Sequence, residues 1–152
     1  MSSTSALSLA PGLDPETVRR TVLPNGLTVL VRRDESAPVV AIVTHVKAGY
    51  FDETDDVVGI AHVLEHMFFK GTPRRNAKQI SEAIEGVGGM LHAYTSYDST
   101  TYYAKVANIH FDRAVDTLGD MLLHSLFDPK EIEKERRVII EEINMSLDQP
   151  AE

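Results

Sequence analysis

The stretch Val57-Val58-Gly59-Ile60-Ala61-His62-Val63-Leu64-Glu65-His66-Met67-Phe68-Phe69-Lys70 reads as a helix over residues 57–70. Asp56 is placed to cap its first turn, and Lys70-Gly71 to close it. Apolar side chains occupy nearly the whole circumference, which predicts a buried helix. His62, Glu65 and His66 break that pattern. At 3.6 residues per turn, His66 lies about 40° from His62 and Glu65 about 60° to the other side. All three share one stripe. Burying two imidazoles and a carboxylate is costly unless something satisfies them. Two histidines at i and i+4 can clasp one divalent metal, with the carboxylate beside a metal-bound water. The competing reading is a pair of hydrogen-bonded core histidines with an unrelated glutamate.

A zinc site needs at least one more protein ligand. The last helix supplies candidates. It starts at Asp128-Pro129, an N-cap followed by proline at the first helical position, and runs to about Leu147. With Glu135 as origin, Glu142 lies about 20° away and Glu131 about 40° away. Ile132, Val138, Ile139, Ile143 and Met145 flank this acidic stripe, so it runs down an apolar face. Of the adjacent pair Glu141-Glu142, only Glu142 points inward. Carboxylates centred on an apolar face call for a cation, whereas a solvated charge run would not. One zinc per chain is expected, with Glu65 as general base and not a ligand. The metal lowers the pKa of its bound water and polarises a carbonyl.

Around these helices the chain alternates clearly. Thr21–Leu23 and Leu27–Val31 flank Pro24-Asn25-Gly26 and read as a hairpin. Pro38–Val46 is a third strand, apolar enough to be central in a sheet. A helix runs from an N-cap at Asn76 to Glu85 and stops at Gly86, Gly88 and Gly89. Met90–Tyr94 and Thr101–Val106 are two more strands, and residues 109–125 another helix. The order predicts an α+β fold, an antiparallel sheet with helices packed on one face. Residues 1–18 read as a flexible leader and 19–152 as one domain. Asp148–Glu152 has the composition of a mid-loop segment, so the domain is expected to be incomplete at its C-terminus.

The 152 residues are 43% hydrophobic, with no cysteine and a net charge of −8. Thiolate zinc sites, disulfides and a cysteine nucleophile are thereby excluded. The acidic balance argues against nucleic acid as partner, and no apolar run reaches membrane-span length. With no recognisable signal or transit segment, a cytoplasmic location is expected.

His62-x-x-Glu65-His66 reverses the common H-E-x-x-H order and has the inverzincin arrangement. Its surroundings, Gly59–Thr72, resemble the insulinase/pitrilysin metallopeptidase family, which includes mitochondrial processing peptidase and bacterial relatives. The resemblance continues through Gly88-Gly89-x-x-x-Ala93-Tyr94-Thr95-Ser96, Tyr102-Tyr103-Ala104 and Glu135-Arg136-x-Val138-Ile139-x-Glu141-Glu142-Ile143. It implies a zinc metalloendopeptidase with His62, His66 and Glu142 as metal ligands, Glu65 as general base and Glu135 behind the ligands. It also implies substrate contacts at Gly89, His92, Ala93 and Tyr94, where His92 stands at a position commonly Asn. Family members are longer, built from repeats of an α+β unit, so the partners implied are a peptide substrate and a C-terminal half or partner subunit. Two other functions compete: a non-catalytic subunit of the same fold, and a non-peptidase metal hydrolase. His45, His110 and His124 lack partner spacing and read as structural or surface residues. Tyr97, Tyr102 and Tyr103 are expected to pack on the sheet. Gly86-x-Gly88-Gly89 follows a helix, so it is not a phosphate loop.

Overall fold

The structure is a computed structural model that describes residues 17–148, without the side chains of 146 and 147. The expected leader falls outside the described residues up to residue 16, as do the last four residues of the expected domain. The chain divides into two compact units, Met1–Pro38 and Val39–Glu152.

In the first unit, β1 (Val18–Val22) pairs antiparallel with β2 (Thr28–Arg32), Val22 lying opposite Thr28. Leu23 and Leu27 belong to the connecting loop and not to the strands. The Leu23 amide donates to the Leu27 carbonyl at 2.8 Å, and the Leu27 amide to the Asn25 side chain at 3.1 Å. Gly26 adopts φ +87°, a left-handed conformation that glycine enters without steric cost.

The second unit holds β3 (Val39–Val46), α1 (Ile60–Met67), α2 (Ala77–Glu85), β4 (Met90–Thr95), β5 (Thr100–Ala107), α3 (Phe111–His124) and α4 (Pro129–Leu147). Single 3₁₀ turns lie at Tyr50–Asp52, between β3 and α1, and at Asn108–His110, between β5 and α3. The sheet order is β3-β5-β4, antiparallel throughout. The apolar run of β3 predicts a central strand; the structure instead puts β5 in the centre and β3 at an edge. Val40, Ile42 and Thr44 of β3 face inward, while Val39 and Val43 are 53% and 62% exposed. An unbroken apolar run therefore did not mean burial on both faces.

Register explains the core. Val40 lies opposite Val106, Ile42 and Leu91 both opposite Ala104, and Ala93 opposite Tyr102. These side chains share one sheet face by the period-two rule. Ile84 of α2 and Ala114 and Leu118 of α3 close over that face, with Phe68 and Phe69 packed beside Tyr102. The helices thus cover one side of an antiparallel sheet, the α+β arrangement the element order implies.

α2 begins as its sequence predicts: Asn76 and Gln79 form a reciprocal capping box. Asp128 caps α4 through the Lys130 amide, 2.8 Å, with Pro129 in the first turn. α1 departs from expectation. It starts at Ile60, because Gly59 at φ +89° interrupts the helical path. Glu53, and not Asp56, satisfies the free amides, accepting from Gly59 at 2.7 Å and Ala61 at 2.9 Å. Asp56 is occupied by the Thr54 hydroxyl. Nor is α1 fully buried: Met67 is, but Ile60 and Leu64 are 40% and 38% exposed, because α4 and β4 cover only part of its circumference.

The joint between α3 and α4 is keyed onto the end of α1. The Ser125 hydroxyl donates to the Met67 carbonyl at 3.1 Å, and the Leu126 amide to the Gly71 carbonyl at 3.0 Å. Phe127, at φ +47°, sets its ring against Phe68, centroids 5.3 Å apart. These contacts bring α4 alongside α1. Behind them, buried Asp120 of α3 accepts from the Thr72 hydroxyl at 2.8 Å and from Arg75 at 2.6 Å.

Candidate metal centre

α1 presents His62 and His66 to α4 with their Nε2 atoms 3.2 Å apart. Glu142 of α4 brings Oε2 to 3.6 Å from His62 Nε2 and 3.7 Å from His66 Nε2. All three side chains thus offer a ligand atom within 4.8 Å of one another. A tetrahedral zinc with bonds of roughly 2.0–2.2 Å keeps its ligand atoms about 3.3–3.6 Å apart. The triangle observed is of that size, and two imidazoles with a carboxylate is a donor set zinc accepts. The residues present therefore fit the ion.

The ring of His66 is oriented from behind. Its Nδ1 donates to Glu135 Oε2 at 3.0 Å, which leaves the Nε2 lone pair facing His62 and Glu142. Glu135 is buried, and its other oxygen takes the Lys70 ammonium at 2.6 Å. Burial pushes the Glu135 carboxyl up, but the hydrogen bonds from Lys70 and His66 outweigh it and hold the group below its ordinary value.

Glu65 is half-buried and stands outside the ligand triangle. Its Oε2 accepts from the Thr95 hydroxyl at 2.5 Å. With His66, Phe69, Lys70, Leu91 and His92 it lines an open cavity of about 280 Å³ against β4. Beneath it, Tyr102 is 2% exposed, and burial together with the Glu65 charge pushes its phenol up, so it stays neutral.

Among the described residues β4 has no neighbour on its outer side, as a strand receiving an added peptide requires. His92 stacks its ring on Tyr103, centroids 5.8 Å apart, and its Nδ1 donates to the Ala93 carbonyl at 2.7 Å. Ala93 is buried and Tyr94 is half exposed on the opposite face. Gly89 has a packing reason of its own: an added Cβ would lie 2.7 Å from Val106 and 2.8 Å from the Ile84 carbonyl.

Not every stripe residue converges. Glu131 pairs with Lys134 at 2.5 Å and stays away from the histidines. His45 contacts the Thr101 hydroxyl at 3.3 Å, and His124 is a largely exposed side chain 3.3 Å from the buried Asp120. Tyr97 does not pack on the sheet as expected. It is 65% exposed and stacks on Phe51, because the turn after β4 carries it outward. Sequence reasoning missed Thr95, Lys70 and Glu53. Lys70 was findable, since i+4 from His66 places it near the same face. Thr95 and Glu53 act across the fold, and no local spacing marks them.

A family model described as insulinase, peptidase family M16, matches residues 28–152. The chain is 41% identical over 133 residues to a zinc protease of Bacillus subtilis, covering 88% of this chain and 32% of that protein. It is 46% identical over 129 residues to a probable mitochondrial-processing peptidase subunit beta of Arabidopsis thaliana, covering 85% and 24%. Among solved structures, a protease from Helicobacter pylori superposes with TM-score 0.79 at 29% identity, over 82% of this chain and 30% of that one. Pitrilysin superposes with TM-score 0.77 at 31% identity, over 85% and 14%. The chain thus spans a third or less of the length of these proteins. Among its described residues, no helix is long and apolar enough to cross a membrane.

Proposed function

This chain belongs to the insulinase family, peptidase family M16, and on that premise we propose that residues 19–152 are the N-terminal catalytic portion of a zinc metalloendopeptidase. The observation that carries the proposal is the meeting of His62, His66 and Glu142 from two helices, with Glu65 beside them and outside the triangle.

In this reading His62, His66 and Glu142 hold one zinc per chain, and Glu135 fixes the ring of His66. A bound zinc supplies Lewis acidity, making water a nucleophile near neutral pH and polarising the carbonyl it attacks. Glu65 takes the proton of the attacking water and returns it to the leaving amine. Thr95 holds one oxygen of Glu65, leaving the other for that transfer. The outer edge of β4, unpaired among the described residues, aligns the peptide backbone with Gly89, His92, Ala93 and Tyr94. The open cavity beside a free strand edge favours a peptide over a small molecule as substrate. A C-terminal half or a partner subunit supplies the remaining wall of the groove, in keeping with the small share of its relatives' length that the chain spans.

The test is Glu65→Gln in the full-length protein, assayed for zinc content and for cleavage of an unstructured peptide. Zinc is expected to remain stoichiometric while turnover falls by at least about a hundredfold, the scale of general-base catalysis. Loss of the metal in this variant would make Glu65 a ligand and overturn the division of roles.

A further inference from the structure

Lys70 is the one cation that touches the support of the metal triangle among the described residues. It lies in the turn that follows α1, its amide bonded to the Met67 carbonyl at 3.1 Å. Its ammonium lies 2.6 Å from Glu135 Oε1, while the other oxygen of that carboxylate holds His66 Nδ1 at 3.0 Å. Glu135 is only 6% exposed. A buried carboxylate with an imidazole alone for a partner is poorly compensated, and a cation on its second oxygen completes the set. The position of Lys70 is itself constrained. The turn after α1 is pinned by the Leu126 amide on the Gly71 carbonyl and by Ser125 on the Met67 carbonyl.

We infer that Lys70 is a positioning residue for the metal centre: by clamping Glu135 it fixes the ring of His66, so that Nε2 is held in place before a metal arrives. The inference rests on the metallopeptidase reading above but makes a separate prediction. Two effects of Lys70 have opposite signs. As a nearby positive charge it repels a metal cation, so its removal would tighten binding. As a clamp on the carboxylate behind His66 it organises a ligand, so its removal weakens binding. The structure favours the clamp, because the ammonium is engaged directly by Glu135.

The experiment measures zinc affinity of the full-length protein by competition with a fluorescent chelator at neutral pH. The variants are Lys70→Met, Lys70→Arg, Glu135→Gln and the double variant Lys70→Met/Glu135→Gln, each checked for folding by circular dichroism. Lys70→Met is expected to weaken zinc binding about tenfold or more, the usual cost of losing a group that orients a ligand. Lys70→Arg, which keeps a donor for Oε1, is expected to restore most of the affinity. In the Glu135→Gln background, Lys70→Met is expected to change nothing further, because the residue through which it acts has lost its charge. Should Lys70→Met fail to fold, Lys70→Gln, which keeps a neutral donor near Glu135 Oε1, takes its place in the cycle with a smaller expected loss, still confined to the background that retains Glu135. Unchanged or tighter binding in Lys70→Met, or an equal loss in both backgrounds, overturns the inference and leaves the metallopeptidase reading intact. Absence of zinc binding in the unsubstituted protein overturns that reading first.

Discussion

The hydroxyl of Thr95 donates to Oε2 of Glu65 across 2.5 Å, joining the last residue of β4 to the last turn of α1. One strand therefore carries an outer edge that is unpaired among the described residues and holds the group proposed to move the proton. A peptide docked on β4 as proposed would be held in register with Glu65 through this contact, and small errors of placement at a reacting centre are expensive.

Replacing Thr95 by valine, which keeps the shape and deletes the donor, is expected to lower kcat about tenfold by freeing the carboxylate to adopt other rotamers. Zinc content and KM should stay near those of the unsubstituted protein, and Thr95→Ser should recover most of kcat. A fall in zinc content in Thr95→Val would instead show that the residue supports the ligands.

Glu141 and Glu142 are neighbours in sequence, yet only Glu142 reaches the histidines. Glu142→Gln should weaken zinc binding by at least about tenfold, whereas Glu141→Gln should change it by less than about twofold. Equilibrium dialysis of both variants against zinc checks this. Equal losses would mean that α4 sits in another rotation.

Asp120 sits in a buried cluster with Thr72 and Arg75. Burial pushes the Asp120 carboxyl up, but hydrogen bonds from Thr72 and Arg75 and the charge of Arg74 outweigh it and hold it below its ordinary value. A carboxyl depressed in the folded state stabilises that state above its unfolded pKa of about 3.9, and the contribution is lost as pH falls through the folded value. Thermal unfolding should therefore move to lower temperature as the pH is taken below about 4. Asp120→Asn is expected to cost about 2–3 kcal/mol near neutrality, the scale of charge-assisted hydrogen bonds, and to show a shallower acid limb. Calorimetry of both proteins across that range is the measurement. An unaltered acid limb in the variant would assign the pH dependence to other groups.

Large apolar side chains on α4, among them Ile143 at 51% and Met145 at 65% exposure, remain open to solvent in the described chain. Expressed alone, the 152 residues are expected to cleave an unstructured peptide at least about tenfold more slowly than the full reading frame or the chain with its partner, because substrate positioning carries much of catalysis. Peptidase assays on both preparations decide it. Equal turnover would show that this unit is sufficient.

Much of this protein was legible locally. Asn76 with Gln79 and Asp128 with Pro129 mark helix starts because the atoms that satisfy free amides lie within a few residues. The spacing of His62, Glu65 and His66 places them on one stripe because a helix repeats every 3.6 residues. The same arithmetic separates Glu142 from Glu141.

What the sequence could not decide are contacts made between distant segments. The apolar run of β3 is compatible with centre or edge, and only the pairing of β5 with both neighbours settled it. Asp56 stood at the expected capping position, but Gly59 turned the chain so that Glu53 reached the amides first. Thr95 meets Glu65 across 30 positions, and Glu135 meets His66 across 69. Local periodicity fixes the direction of a side chain relative to its own element. The partner it meets depends on how elements pack, here on the α3–α4 joint seated on the end of α1, and that is a property of the tertiary structure.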